Sequence, residues 1–203
     1  SFNHALGPER VFATAPLPLA DLQTVRHGVP GVTLNDVVLA VCGGALRQYL
    51  YDRGELPAQS LVVGVPVNTR PGETGRLGGN RVSNMFATLR TDLADPLARL
   101  RAVHEVMEDA KRRQAALGAD LLESWVEFAP PRPYHFVMSW LSRSHIADRV
   151  HPPFNLILSN VPGPRRPLFF QGARLVAIHS VGPILEGIAL NITAWSYAGE
   201  IHF

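Results

Sequence analysis

Two adjacent polar side chains, Asn35 and Asp36, open an otherwise apolar segment of the chain. An amide and a carboxylate at the start of a helix can bond backbone N–H groups or hold a polar group of a ligand. Thr33 and Asp36 have the spacing of a capping box, and an acidic residue in the first turn suits the helix dipole. Capping explains Asp36 but not Asn35. The residues alone favour capping over a binding role.

A second polar pair, Ser159 and Asn160, follows the apolar run that ends at Leu158 and precedes the turn sequence 162–164. Small polar side chains at the end of a buried strand can hydrogen-bond a ligand. Pro-Gly and Gly-Pro are also typical turn dipeptides. Because the pair precedes the turn and does not form it, both interpretations stay open.

Other candidates have simpler explanations. The glycine-rich stretch 66–85 carries arginines but neither GxxxxGK[ST] nor GxGxxG, which favours a connection between strands over a phosphate site. The basic stretch 111–113 falls at a predicted helix C-terminus and fits a solvated face.

The eight histidines form no recognised metal-ligand spacing, so no metal site is predicted. His104 with Glu108, and His145 with Asp148, have the spacing of acid–base pairs. The first pair lies near the edge of a helical apolar stripe, and we interpret it as structural. No catalytic base can be identified in the sequence.

Composition limits the class of protein. The 203 residues are 46% hydrophobic and 18% charged, which is enough to fold around a core, and a net charge of +2 does not favour nucleic acid. Cys42, the single cysteine, excludes an intramolecular disulfide. The chain shows no signal peptide, and its apolar runs are shorter than the ~20 residues that span a bilayer. We expect a cytoplasmic protein, with peripheral contact at a membrane or lipid inclusion as an alternative.

The pattern predicts an α/β domain with a mixed sheet. Loop sequence is predicted over 70–80, and a broken helical region over 119–150. The buried-looking helix after Thr33 contains Gly43-Gly44, which predicts close approach of another backbone. The predicted strands are 11–17, 60–70, 81–91, 154–164, 173–181, 188–197 and 200–203, and the predicted helices are 18–28, 34–52 and 96–117, the last with an apolar stripe of Leu97, Leu100, Val103, Met107 and Ala110.

Four segments together resemble the C-terminal half of the bacterial wax ester synthase/acyl-CoA:diacylglycerol acyltransferase (WS/DGAT) family, and they occur in the family's order. They are TLNDVVLA (33–40), VPVNTRPG to LGGNRVSNM (65–85), LSNVPGP (158–164) and LNITAWSYAGEIHF (190–203). The resemblance implies a chloramphenicol acetyltransferase-like C-terminal domain, with a mixed β-sheet and flanking helices, that takes up residues 1–203 as a single domain.

The resemblance also implies an activity: transfer of a fatty acyl group from acyl-CoA to diacylglycerol, to a long-chain alcohol, or to both. Acyl-CoA is then a substrate, and no cofactor is expected. The family's general base lies in an HHxxxDG motif, which this sequence lacks. The chain starts without methionine and stops within a predicted strand, so we expect a fragment that is inactive alone and partnered by an N-terminal half carrying that motif.

The same resemblance assigns roles to both polar pairs. Asn35 and Asp36 match the family's "ND" pair and are expected to support the acyl-transfer site. Ser159 and Asn160 are candidates for the substrate channel or for stabilising the oxyanion. Two other functions remain open: a related acyltransferase half acting on polyketide or peptide thioesters, and a non-catalytic lipid-binding or interaction module. The apolar stretch 127–141 suits contact with acyl chains or a membrane, or covering the sheet.

Overall fold

The computed structural model describes residues 2–68, 82–117 and 152–203. The predicted loop 70–80, the helical region 119–150 with its stretch 127–141, and the pair His145 and Asp148 lie outside these residues. The described elements are β1 (Pro16–Pro18), α1 (Leu19–Gly28), α2 (Leu34–Asp52), β2 (Val62–Asn68), β3 (Val82–Thr88), α3 (Pro96–Leu117), β4 (Leu156–Val161), β5 (Phe169–Phe170), β6 (Ala173–Arg174), β7 (Asn191–Tyr197) and β8 (Glu200–His202).

Six strands form one sheet in the order β1-β8-β7-β4-β2-β3. The central strand β4 is parallel to both neighbours, β2 and β7, and the remaining pairs are antiparallel. The predicted α/β class with a mixed sheet and flanking helices is therefore confirmed.

One hydrophobic core joins the helices to a single face of the sheet. Alternation along the strands sends Val63, Val65, Leu156 and Leu158 to this face, where they join the buried side chains of α2 and α3. The close approach predicted at the glycine pair is confirmed, because a Cβ on Gly43 would lie 2.5 Å from the backbone oxygen of Leu89.

Two predicted strands are much shorter in the structure. In the segment 173–181 only Ala173–Arg174 is strand, because Leu175 donates its backbone N–H to Leu168 and closes a small hairpin, here called the β5–β6 hairpin. Among the described residues, no strand lies beside the residues that follow. In the segment 11–17, only the end reaches the edge of β8 and becomes β1.

Two burial predictions are wrong in part. The helix α2 is buried on all sides only from Asp36 to Ala40, whereas Val41 and later positions on its outer side are exposed. On α3, Leu97 is 44% exposed, so it does not belong to the buried part of the apolar stripe. Within the described ranges, no helix is both long and apolar enough to cross a membrane.

Candidate functional site at the start of helix α2

The N-terminus of α2 is closed by a complete capping box. Thr33 Oγ1 accepts a hydrogen bond from the backbone N–H of Asp36 at 3.2 Å, and Asp36 Oδ2 accepts one from the backbone N–H of Thr33 at 2.9 Å. The two bonds satisfy backbone donors that a helix start otherwise leaves free. The predicted capping role of Asp36 is confirmed.

Asp36 has a further partner that the sequence pattern did not indicate. The Nδ1 atom of His104, on α3, lies 2.9 Å from Asp36 Oδ2. The hydrogen-bond partner of His104 is thus Asp36 and not the predicted Glu108, which pairs with Lys111 at 2.7 Å and interacts with His104 only through its charge. Asp36 has no exposed surface, and a buried carboxylate needs such donors to offset its lost hydration.

The structure brings Asn35 and Asn160 together. The Nδ2 atom of Asn160 donates to Asn35 Oδ1 at 3.4 Å, which joins the first turn of α2 to the end of β4. Both side chains are half-buried. The two polar pairs of the sequence therefore meet through Asn35 and Asn160, and we call this contact the polar point.

Ser159 does not share this point. Successive side chains of a strand point to opposite faces, so Asn160 lies on the face covered by α2 and Ser159 on the other face. There Ser159 is in register with Thr193 of β7 and is half-buried. Ser159 and Asn160 therefore point to opposite faces of the sheet at the end of β4.

An open depression of about 580 Å³ lies beside the helix start. Its lining residues come from the end of α1, the connection to α2 and the first residues of α2: Arg26, His27, Val29, Pro30, Gly31, Val32, Thr33 and Leu34. None of Asn35, Asp36, Ser159 and Asn160 is among them. The depression is therefore adjacent to the amide pair and distinct from it.

Neither a cysteine nucleophile nor a metal site is found among the described residues. Burial raises the pKa of the Cys42 thiol to about 12, so this side chain is not a thiolate nucleophile at neutral pH. In residues 2–68, 82–117 and 152–203, no three His, Cys, Asp or Glu side chains are placed to hold a metal ion. What remains is the pair of side-chain amides of Asn35 and Asn160 beside a capped helix N-terminus, and amide N–H groups can donate to a carbonyl oxygen.

Sequence reasoning missed the role of His104. The residue lies 68 positions from Asp36, and only the packing of α3 on α2 brings the two together. The sequence showed only that His104 follows Val103 on an apolar stripe. A half-exposed histidine without a buried partner gives the same pattern.

Comparison with known proteins places these features in a family. The model of the WS/DGAT C-terminal domain family matches residues 78–203. The Mycobacterium tuberculosis (strain ATCC 25618 / H37Rv) protein Rv1760, named provisionally as a diacylglycerol O-acyltransferase, is 39% identical over 200 residues. That match covers 98% of this chain and 39% of the relative. The chain spans about two fifths of the length of such relatives.

Solved structures agree with this assignment. The wax ester synthase/diacylglycerol acyltransferase from Marinobacter aquaeolei VT8 matches with a TM-score of 0.71 and 31% identity, over 100% of this chain and 44% of that one. The epimerization domain from the third module of tyrocidine synthetase B matches at 0.51 with 13% identity, over 94% and 40% of the two chains, and this likeness concerns the fold alone. The expected fold and family are confirmed: the chain belongs to the WS/DGAT C-terminal domain family.

Proposed function

We propose that this chain is the C-terminal part of an acyl-CoA-dependent O-acyltransferase that esterifies diacylglycerol, a long-chain alcohol, or both. The observation that carries the proposal is the contact between Asn35 and Asn160 in a member of this family. It joins two segments of the sequence resemblance, far apart in the chain, at one polar point beside a helix start.

In the proposed reaction, the acceptor hydroxyl attacks the carbonyl carbon of the acyl-CoA thioester. A histidine of the HHxxxDG motif, supplied by an N-terminal part of the enzyme, takes the hydroxyl proton as general base. The C–O bond forms, negative charge builds on the carbonyl oxygen, and CoA leaves when the tetrahedral intermediate collapses. Acyl-CoA is the only small molecule required besides the acceptor.

This chain contributes donors and rigidity. Each asparagine amide carries two N–H donors, and the mutual bond of Asn35 and Asn160 uses only one of the four. The others have no partner among the described residues, and we propose that they hold the thioester or stabilise the developing oxyanion. Thr33 and Asp36 fix the turn on which Asn35 sits. Ser159, on the opposite face, is proposed only as a contact for substrate along that face.

The test compares variants of the intact enzyme that contains this segment. Asn35→Ala is expected to slow CoA release with acyl-CoA and diacylglycerol or hexadecanol by at least about tenfold, because loss of one oxyanion donor costs that much or more. Gln23→Ala removes an exposed amide on α1 and serves as the matched control. Full activity in Asn35→Ala at unchanged melting temperature would contradict the proposed role.

The same assay separates the alternatives. The 203 residues alone should release no CoA, because the proposed base lies elsewhere. If the intact enzyme accepts peptide or polyketide thioesters and ignores diacylglycerol and alcohols, the substrate assignment is wrong. If it binds these lipids without releasing CoA, the chain belongs to a binding module.

A further inference from the structure

His104 links α3 to the first turn of α2 through the one carboxylate on which that turn depends. Its Nδ1 atom lies 2.9 Å from Asp36 Oδ2, the oxygen that also accepts the backbone N–H of Thr33. The other oxygen, Oδ1, is buried and accepts no hydrogen bond within the described part of the chain. Of the two described donors to this carboxylate, the Thr33 N–H and His104, one is therefore the histidine.

The other side of the imidazole faces the connection that enters α2. Gly31 adopts a left-handed backbone conformation with φ of 81°, and a Cβ there would lie 3.3 Å from His104 Nε2. The ring thus lies between the Asp36 carboxylate and the backbone of the connection that enters α2. An ionised carboxylate only accepts hydrogen bonds, so the tautomer that fits this contact is the one with the proton on Nδ1.

Neighbouring charged groups do not replace this interaction. Glu108, one helical turn further along α3, is engaged with Lys111.

Asn35 directly precedes Asp36, so a shift of the carboxylate moves the backbone that carries the Asn35 amide. The contact of that amide with Asn160 is already 3.4 Å long and tolerates little displacement.

We propose that His104 is a positioning residue for acyl transfer: by donating from Nδ1 to Asp36, it fixes the first turn of α2 and holds Asn35 against Asn160. The proposal rests on the proposed function of the two asparagines. His104 acts only through Asp36 and touches neither substrate nor the reacting atoms.

The variants are chosen to remove, keep or displace the N–H donor that His104 supplies to Asp36. His104→Ala removes it, and His104→Asn places an amide nitrogen at the position of Nδ1, since both atoms are bonded to Cγ. His104→Gln sets its nitrogen one bond further out. Val103→Ala, a truncation of the adjacent buried residue on α3, destabilises the same helix and removes no hydrogen-bond donor to Asp36.

In the intact enzyme, His104→Ala should lower kcat for CoA release about tenfold or more and leave KM for acyl-CoA within about twofold. His104→Asn should recover kcat to within about threefold of the parent, whereas His104→Gln should not. Val103→Ala should keep the parent kcat at temperatures where it is folded. Equal kcat in His104→Ala and the parent, or losses in His104→Ala and Val103→Ala that track their melting temperatures, would overturn the proposal. If His104→Ala does not fold, the contrast between Asn and Gln decides.

Hydrogen–deuterium exchange gives a readout independent of activity. His104→Ala should accelerate exchange of the amides of residues 33–37 and leave those of residues 46–50 unchanged, and Val103→Ala should show no such preference. A parent enzyme that releases no CoA with any acceptor refutes the proposed function. The exchange pattern still decides whether His104 holds the turn, and an unchanged pattern in His104→Ala overturns that claim.

Discussion

At the scale of single residues, Asp36 shows how much a helix start can depend on one side chain. Its carboxylate has no exposed surface, and both of its partners in the described part of the chain, the Thr33 backbone and His104, bond the same oxygen. The positive end of the α2 dipole adds a favourable field. A buried charge supported in this way is costly to disturb, because removal of one partner leaves the remaining charge short of donors.

Cys42 provides a pH-dependent test of burial. Its pKa is about 12 in the folded protein against an ordinary value of 9.0, with burial as the cause. As pH rises above 9.0, the unfolded chain loses the thiol proton and the folded chain keeps it, so the stability that Cys42 confers is present below this pH and falls as pH rises towards 12.

We therefore expect Cys42→Ala to be less stable than the parent by about 1 kcal/mol at pH 7, with a difference that shrinks above pH 9.0. Urea unfolding of both proteins at several pH values measures this difference, and other titrating groups cancel in the comparison. A difference that stays constant up to pH 10 would contradict the assigned burial of the thiol.

At the scale of elements, α2 is defined by two kinds of signal. Its start is local: Thr33 and Asp36 are three residues apart, and their types alone were sufficient to predict the capping box. Its packing depends on Gly43, whose missing side chain allows the helix to approach Leu89 at the end of β3.

Gly43→Ala should lower the free energy of unfolding by about 1–3 kcal/mol, despite the higher helix propensity of alanine. The reason is that the new Cβ meets a backbone oxygen, which no rotamer change can move away. Gly28→Ala, at the exposed end of α1 with nothing within 4 Å of the added atom, is the control. Equal urea midpoints for the two variants would show that α2 can shift away from Leu89 freely.

Two arginines secure the connection between β3 and α3. Arg47 of α2 donates to the carbonyl of Thr91 at 2.6 Å, and Arg99 donates to the carbonyl of Leu93 at 2.7 Å. Burial, with the nearby charge of Arg47, lowers the pKa of the Arg99 guanidinium. These bonds fix where α3 begins, and hence where His104 meets Asp36.

The sequence predicts a feature well when its signal lies within one segment, and poorly when the feature depends on a distant part of the chain. The helix 96–117 was predicted at its observed bounds because its periodicity is contained in the segment. The segment 173–181 has the composition of a strand, yet strand formation also requires a neighbouring strand, and none lies beside Val176 in the described residues. The contact between Asn35 and Asn160 spans 125 positions, so only the resemblance to a family linked their segments before the structure was known.

At the scale of the whole molecule, the β5–β6 hairpin presents exposed aromatic side chains on an anchored base. Phe169 is 66% and Phe170 77% exposed. The Tyr197 hydroxyl accepts a hydrogen bond from the Leu168 N–H and donates one to the Leu175 carbonyl, so the base of the hairpin is fixed to β7. An exposed apolar tip on a fixed base suits contact with the proposed N-terminal part.

Phe170→Ser is expected to weaken association of the two parts about tenfold when they are produced as separate polypeptides, because an exposed aromatic side chain that association would bury is lost. Val11→Ser, a change at another highly exposed apolar residue, should leave association unchanged. Size-exclusion chromatography with titration of one part measures the effect. Association unaffected by Phe170→Ser, together with lost binding to phosphatidylcholine vesicles, would assign the hairpin to a lipid surface instead.

The pairing of β1 with β8 also has a consequence for synthesis. Pro16 lies opposite His202, so the two strands that meet at this edge are separated by 202 − 16 = 186 positions of the chain. At the usual rate of translation, about 5–20 residues per second, β1 waits roughly 10–40 s on the ribosome before its partner exists. During that interval the two asparagines Asn35 and Asn160 and most of the core are synthesised, while the sheet edge that β1 will cover is still missing. A nascent chain stalled shortly before His202 should therefore be recognised by chaperones as incomplete, even though nearly all of its core has been synthesised.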